Sequence, residues 1–150
     1  MSGKAKKKTF VNDAVGQHVA SLIERLAVDC VLDVGANEGQ WAAALRRAGY
    51  SGRIVSFEPV KQAFERLQVA ASEDPIWDTH CLALGPQDGT VALHRTHNSV
   101  FSSVLKPSCY AQNRWGDGTE IVAEETAPVR RLDGLLPELL TDLATARLFL

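Results

Sequence analysis

The sequence lacks the features of an exported or membrane-spanning protein. It has no apolar run near the roughly 18 residues that a membrane span needs, and its lysine-containing N-terminus has no apolar segment of the kind found in secretory signals. Its three cysteines, Cys30, Cys81 and Cys109, lie far apart and form no C-x-x-C motif. We expect them to be reduced, mostly buried thiols in a cytoplasmic protein that has no membrane span.

A large excess of charge is also absent. The formal net charge is -2 and 45% of the residues are hydrophobic, which is an ordinary globular balance. Such a balance provides no field that would attract nucleic acid, so we expect no nucleic-acid partner. The one run of charge, at residues 4–8, lies in a stretch that we predict to be a basic disordered tail over residues 1–11. Residues 12–150 contain no repeat or linker and are predicted to form one domain.

Short apolar segments alternate with amphipathic ones along the rest of the chain. Strands are predicted at residues 31–34, 54–57, about 77–84, 90–96 and within 121–131. Helices are predicted at about residues 37–48, after residue 58 with Pro59 in the first helical position, and from an N-cap at Asp133 to Leu143. This alternation predicts an α/β fold with a parallel sheet and helices on both faces. Residues 148–150 resemble the start of another buried strand, which predicts that the second half of the sheet is missing.

Residues 31–39 (VLDVGANEG) predict a strand, a tight turn and a helix N-terminus. Small residues in the turn let a ligand approach the backbone, and the first helical N–H groups offer hydrogen bonds. The spacing differs from the dinucleotide pattern G-x-G-x-x-G, because Asn37 stands where a pyrophosphate needs a bare position. The carboxylate of Asp33 suits a ligand that carries a sulfonium and an ammonium group. The alternative is that Asp33 braces the turn by accepting hydrogen bonds from backbone N–H groups.

Glu58 ends the second predicted strand. A carboxylate in this place can accept both hydroxyls of a ribose. The alternative is that its charge favours the positive end of the following helix. Because the carboxyl ends of parallel strands lie at one edge of a sheet, Asp33 and Glu58 are predicted to border one cleft.

Residues 31–39 followed by residues 55–59 (VSFEP) resemble the FkbM family of S-adenosylmethionine-dependent methyltransferases. Weaker similarities lie at residues 82–85 with 88–89, at 98–103 and at 129–133, so the resemblance covers roughly residues 12–150. It implies a Rossmann-like class I methyltransferase fold, S-adenosylmethionine as the cofactor, and methyl transfer to a hydroxyl oxygen of a small molecule, saccharide or glycolipid. Positioning of the acceptor would supply much of the rate.

The resemblance also implies roles for eight residues of the chain. Gly35, Ala36, Asn37 and Gly39 would line the methionine and ribose end of the cofactor, Asp33 would orient its amino-acid part, Glu58 would hold the ribose hydroxyls, and Pro59 and Ala83 would flank the adenine. The Lys-x-Asp-x-x-Gly segment that usually follows in the family is absent from these 150 residues. The resemblance therefore implies a partial domain, and no catalytic base is identified.

Other interpretations of the motifs stay open at this point. His80 is expected either to pack or to reach the cleft, and Trp115 either to pack or to contact an acceptor. His94 and His97 lie three apart, but on a strand or loop this spacing does not place them on one face, so no metal site is predicted. A nicotinamide- or nucleotide-binding oxidoreductase domain and a non-catalytic cofactor-binding fragment remain the alternative functions.

Overall fold

The computed structural model describes residues 14–98, 102–140 and 147–150. The helices are α1 (Ala14–Arg25), α2 (Gln40–Arg47), α3 (Lys61–Ala71), α4 (Cys109–Trp115) and α5 (Leu132–Leu139), with a 3-10 turn at Gly116–Thr119. The strands are β1 (Cys30–Val34), β2 (Arg53–Phe57), β3 (Trp77–His80), β4 (Ala83–Leu84), β5 (Gly89–Thr96), β6 (Ile121–Arg130) and β7 (Leu148–Phe149). The predicted alternation of strands and helices in an α/β fold is confirmed.

The main sheet has four parallel strands in the order β3-β2-β1-β7. From β1 the chain moves outward through β2 and β3, and β7 then pairs with the opposite edge of β1. The direction of strand order therefore reverses at β1. In open α/β sheets, ligands bind outside the carboxyl ends of the strands at such a reversal. A ligand site is therefore expected at the residues that follow β1.

Side chains alternate between two cores along the central strands, as the pleat of a strand requires. Val31 and Ile54 face the layer of α1, α2 and α3, whereas Leu32 and Val55 face α5. Helical partners on the first face include Ile23, Leu45 and Leu67, and those on the second are Leu135 and Leu139. Full burial of each such side chain stabilises the fold by about 1.5–3 kcal/mol. Helices therefore cover both faces of the parallel sheet, as predicted.

A second sheet of three strands has the order β4-β6-β5 and contains an antiparallel pair, β5 with β6. Leu93 and Ala127 of this sheet pack on Val60 and Ala63 at the start of α3. The prediction of one continuous strand over residues 77–84 is wrong. The chain bends after β3, where the N–H of Leu82 donates to the carbonyl of His80 (3.1 Å), and residues 83–84 enter the second sheet.

The second helix begins later than predicted, at Gln40 instead of about residue 37. Asn37 (φ 51°) and Gly39 (φ 80°) both adopt the left-handed conformation. A right-handed helix cannot pass through such residues, so the turn extends to Gly39.

Two predicted helix starts are also wrong, each by two residues. Pro59 precedes Val60, the N-cap of α3, and therefore does not occupy the first helical position. Helix α5 begins at Leu132 with Arg131 as its N-cap, so Asp133 lies in the first turn. The predicted end of this helix at Leu143 lies outside the described residues, as does the predicted tail over residues 1–11.

The three cysteines are free thiols, but they are not mostly buried as expected. Cys30 is buried in β1, Cys81 is half-buried and Cys109 is exposed. Cys109 begins helix α4, which buries none of its residues. The predicted strand at residues 148–150 is confirmed at Leu148–Phe149, although the expected burial is wrong for Leu148, which is exposed at the edge of the sheet.

Candidate cofactor site

The loops that follow β1 and β2 form one hydrogen-bonded unit. The N–H groups of Gly35 and Ala36 donate to the carbonyl of Phe57 (2.9 and 3.1 Å). The next N–H, that of Asn37, donates to Oε2 of Glu58 (2.8 Å). The two sequence motifs, residues 31–39 and 55–59, therefore meet at the carboxyl edge of the sheet, as predicted.

Glu58 is buried (6% exposed), and each of its carboxylate oxygens accepts a backbone hydrogen bond. Oε2 accepts from Asn37, and Oε1 accepts from the N–H of Val60 at the start of α3 (2.8 Å). Burial raises the pKa of this carboxyl group, and the two hydrogen bonds oppose that rise. An ionised carboxylate has about four acceptor sites. Glu58 thus joins the glycine turn to α3 and keeps acceptor capacity for a ligand.

Asp33, at the carboxyl end of β1, accepts a hydrogen bond at Oδ2 from the hydroxyl of Ser56 (3.2 Å). Burial raises the pKa of Asp33 to about 6, with an opposing contribution from the Ser56 bond and a further rise from the charge of Glu58. The carboxylates of Asp33 and Glu58 are therefore near enough for the charge of one to act on the other. The N–H groups of Gly35, Ala36 and Asn37 bond to Phe57 and Glu58, so the turn is braced by those residues instead of by Asp33.

The two glycines of the turn have different surroundings. At Gly35 (φ +75°) no heavy atom lies within 4 Å of the position that a Cβ would take, so this side of the turn is open. At Gly39 (φ +80°) a Cβ would lie 2.9 Å from Cδ1 of Leu67 and 3.1 Å from the ring of Trp77. Gly35 therefore leaves space for a ligand, whereas Gly39 lets the turn pack on the core.

Asn37 supplies a further polar atom to this turn. Its side-chain oxygen Oδ1 is buried and has no hydrogen-bond partner among the described residues. A buried acceptor without a partner is rare in folded proteins and calls for an explanation, such as a donor on a ligand. Together with the open side of Gly35, this atom fits a bound group that carries N–H or O–H donors.

Pro59 and Ala83 both follow this unit in the chain. Pro59 is half-buried between Glu58 and the start of α3. The N–H of Glu58 donates to the carbonyl of His80 (3.0 Å), so the bend after β3 is beside Glu58. Ala83 begins β4, where it is paired with Val129 of the second sheet. Pro59 thus follows Glu58 directly in the sequence, and Ala83 lies three residues past the bend.

This arrangement of turn, strand ends and acids can be compared with known families. The model of the Methyltransferase FkbM domain matches residues 33–144 of the 150-residue chain. The chain belongs to the FkbM methyltransferase family. Comparison with curated proteins gave no match.

Histidines of the FkbM domain occupy three different settings. His80 is half-buried and stacks on Phe57 (ring centroids 5.4 Å apart), and burial lowers its pKa. His94 lies 3.2 Å from a carboxylate oxygen of Glu124, and His97 is exposed. In the part of the chain that the structure describes, no group of three His, Cys, Asp or Glu side chains is arranged to hold a metal ion. His80 therefore packs on Phe57 beside the site, but its buried Nε2 has no hydrogen-bond partner among the described residues, so a contact of His80 with the cleft stays a prediction.

The tryptophans of the FkbM domain differ in burial. Trp77 is buried and Trp41 stacks on Phe149 of β7 (6.4 Å). Trp115 is 49% exposed and meets Tyr110 edge to face (6.2 Å) on α4. Trp41 and Trp77 are packing residues, and for Trp115 a role in acceptor contact stays a prediction. None of the helices within residues 14–98, 102–140 and 147–150 has the length and apolar content of a membrane span.

A polar cavity of about 410 Å³ adjoins the glycine turn. Gln62 and Arg66 of α3, Arg95 of β5 and Glu38 of the turn are among its lining residues. Arg66 pairs with Glu38, and Arg95 pairs with Glu125 (2.8 Å), so charges in this wall are balanced within the protein. The sequence did not indicate these residues, because the cavity exists through the packing of the second sheet on α3.

Proposed function

We propose that this chain binds S-adenosylmethionine at the carboxyl edge of β1 and β2 and methylates a hydroxyl oxygen of a small-molecule or saccharide acceptor. The observation that carries the proposal is the joined unit of the glycine turn and Glu58, which sets two carboxylates beside an open stretch of backbone. Membership of the FkbM family supports methyl transfer as the reaction class. The free thiols agree with a cytoplasmic location, which we include in the proposal.

Each proposed contact follows from the chemistry of the residue. The anion of Asp33 would attract the cationic amino-acid part of the cofactor, and the free acceptor sites of Glu58 would bind the ribose hydroxyls. The unpartnered Oδ1 of Asn37 would accept a hydrogen bond, while Gly35 and Ala36 would let the cofactor lie on the backbone. Gly39 would contribute through the shape of the turn.

Pro59 and Ala83 would flank the adenine ring in this proposal. When bound, S-adenosylmethionine supplies a methyl group on a positively charged sulfur. An acceptor oxygen can bond to this methyl carbon as the carbon–sulfur bond breaks, so the sulfur is the leaving group. The chain's own part is to hold the cofactor and the acceptor in register. The group that takes the hydroxyl proton is not assigned.

The proposal is tested by calorimetry of the full chain with S-adenosylhomocysteine and, separately, with NAD. We expect S-adenosylhomocysteine to bind and NAD to leave no signal. Glu58→Gln and Asp33→Asn should each weaken binding by about 1–3 kcal/mol, the usual effect of losing a charged hydrogen-bond partner. Glu73→Gln, an exposed carboxylate next to the C-terminal end of α3, is the matched control and should bind as the parent does.

Three other outcomes would each have a clear meaning. Binding of NAD in place of S-adenosylhomocysteine would favour an oxidoreductase domain. Binding of neither ligand would overturn the proposed cofactor. Binding of S-adenosylhomocysteine without methyl transfer to any hydroxyl acceptor in a tritium-transfer assay would identify a cofactor-binding fragment that does not catalyse the reaction.

A further inference from the structure

A chain of hydrogen bonds runs across three neighbouring strands behind the proposed cofactor site. The indole N–H of Trp77, in β3, donates to Oγ of Ser56 in β2 (2.9 Å). The hydroxyl of Ser56 in turn donates to Oδ2 of Asp33 in β1 (3.2 Å). A hydroxyl has one proton, and an indole N–H can only donate. The indole therefore occupies an acceptor site of the serine, and the serine proton is left for the carboxylate.

The hydrogen bonds from Trp77 to Ser56 and from Ser56 to Asp33 lie inside the protein and are not surface contacts. Ser56 is 0% exposed and Trp77 is 7% exposed. Ser56 interrupts the apolar pattern of β2, where Ile54, Val55 and Phe57 are also buried. A buried hydroxyl destabilises a fold unless it is hydrogen-bonded. The hydroxyl of Ser56 forms two such bonds: it donates to Asp33 and accepts from Trp77.

Trp77 also touches the glycine turn. A Cβ placed on Gly39 would lie 3.1 and 3.2 Å from two carbons of the Trp77 ring. The same indole therefore packs against the end of the turn and anchors the serine that bonds to Asp33. The position of the turn and the position of the acid are linked through this one side chain.

We propose that Ser56 and Trp77 are positioning residues for cofactor binding, which hold Asp33 as an oriented anion at the end of β1. This inference rests on the proposed function, because Asp33 is the group that would meet the cationic part of S-adenosylmethionine. Neither residue contacts the cofactor in this account. They act through Asp33, and their effect should therefore appear in how Asp33 titrates.

The electrostatic setting gives the direction of that effect. Burial raises the pKa of Asp33 to about 6, and the hydrogen bond from Ser56 opposes the rise. Glu58, from the loop after β2, is the charged group that acts on Asp33, and it raises the pKa further. Loss of the serine hydroxyl removes the opposing contribution. A larger share of Asp33 is then protonated near neutral pH, and a neutral carboxyl attracts an ammonium group less.

The test measures the affinity for S-adenosylhomocysteine by calorimetry from pH 5 to pH 8. The parent chain should lose affinity as the pH falls through about 6, where Asp33 takes up its proton. Ser56→Ala should move this midpoint to higher pH and weaken binding at pH 7 by about two- to tenfold, because a larger share of Asp33 is then protonated. Ser56→Thr, which keeps the hydroxyl, should restore the parent midpoint.

Trp77→Phe removes the indole N–H and should shift the midpoint in the same direction. Trp41→Phe is the matched control, since Trp41 stacks on Phe149 and takes no part in the hydrogen-bond chain. Both aromatic variants are expected to lower the melting temperature. A purely structural role for Trp77 predicts that loss of stability with no shift in the midpoint, and that result would overturn its positioning role.

A second measurement does not depend on the ligand. The carboxyl carbon of Asp33 can be titrated by nuclear magnetic resonance in the free protein, and its midpoint should be higher in Ser56→Ala and in Trp77→Phe. An unchanged Asp33 titration in both variants would overturn the inference while leaving the proposed cofactor intact. Failure of the parent chain to bind S-adenosylhomocysteine would instead overturn the proposed function.

Discussion

At the scale of single residues, Gly35 and Gly39 show that two glycines of one motif can have different structural roles. Both have positive φ, yet Gly35 borders open space and Gly39 borders Leu67 and Trp77. A motif read from the sequence assigns both to the ligand. The structure shows that Gly39 also determines how closely the turn approaches the core.

Gly39→Ala should therefore lower the free energy of unfolding by about 2–4 kcal/mol. About 1–2 kcal/mol comes from the left-handed conformation, and the rest comes from the contact of the new methyl group with Leu67 and Trp77. Gly49→Ala is the control, because Gly49 also has positive φ (99°) but nothing lies within 4 Å of its Cβ position. Urea unfolding measures both, and equal losses would contradict the crowding at Gly39.

At the scale of elements, the sequence predicted well where a segment was both apolar and short. Strands β1 and β2 and the meeting of residues 33–39 with Glu58 were found in this way, whereas β5 and β6 were predicted although they are longer and carry many polar residues. The division between β3 and β4 was missed, because residues 77–84 contain no glycine or proline that would indicate a turn. The bend after His80 depends instead on the pairing of β4 in the second sheet. Helix α4 was missed because it buries no residue and shows no apolar stripe, although the cap at Ser108 was a local signal.

The site was predicted in its backbone and acids but not in its supporting contacts. Positions along the chain indicated Asp33 and Glu58, because Asp33 lies near the end of one predicted strand and Glu58 lies at the end of the next. No spacing could indicate that Ser56 and Trp77 lie behind Asp33, since that follows from the register of three strands. The cavity wall of Arg66 and Arg95 depends in the same way on packing between distant segments.

One arginine ties the elements around α2 together. The guanidinium of Arg46 donates to Asp74 (2.6 Å) and to the carbonyls of Tyr50 (2.8 Å) and Gly52 (2.6 Å). It thereby joins the end of α2 to the loops that lead into β2 and β3. Because these contacts are partly buried, their loss leaves a carboxylate and two carbonyls without that donor.

Arg46→Ala should lower the free energy of unfolding by about 1–3 kcal/mol, the range for polar groups that are left unsatisfied. The neighbouring Arg47 is exposed, so Arg47→Ala should stay within about 0.5 kcal/mol of the parent. Chemical denaturation of the two variants provides a matched comparison. Similar stabilities for both would mean that water replaces the Arg46 contacts without loss.

At the scale of the whole molecule, the start of α3 connects the parts of the fold. Val60 donates its backbone N–H to Glu58, and its side chain packs with Leu93 and Ala127 of the second sheet. Glu58 in turn accepts from the glycine turn. The parallel sheet, the second sheet and the proposed cofactor site therefore meet at one short segment, and a disturbance of the second sheet can reach the site through it.

The same acid that serves the proposed function opposes folding at neutral pH. Asp33 has a pKa of about 6 in the folded chain against an ordinary value of 3.8, so the folded state holds the proton more tightly than the unfolded state. Folding then takes up a proton between these values. The contribution of Asp33 to stability is highest below about pH 4, falls as the pH rises to about 6, and stays at its lower level above that.

Asp33→Asn removes this titration and should stabilise the chain by about 1–3 kcal/mol at pH 8, while it weakens binding of S-adenosylhomocysteine. The difference in unfolding free energy between variant and parent should grow from about pH 4 to about pH 6 and be constant above. Taking the difference cancels the titration of the other groups. Glu73→Gln, at an exposed position, should show a small difference at every pH. A difference for Asp33→Asn that does not change with pH would mean that the folded and unfolded chains bind the Asp33 proton equally, and the burial that raises its pKa could not then be what opposes folding.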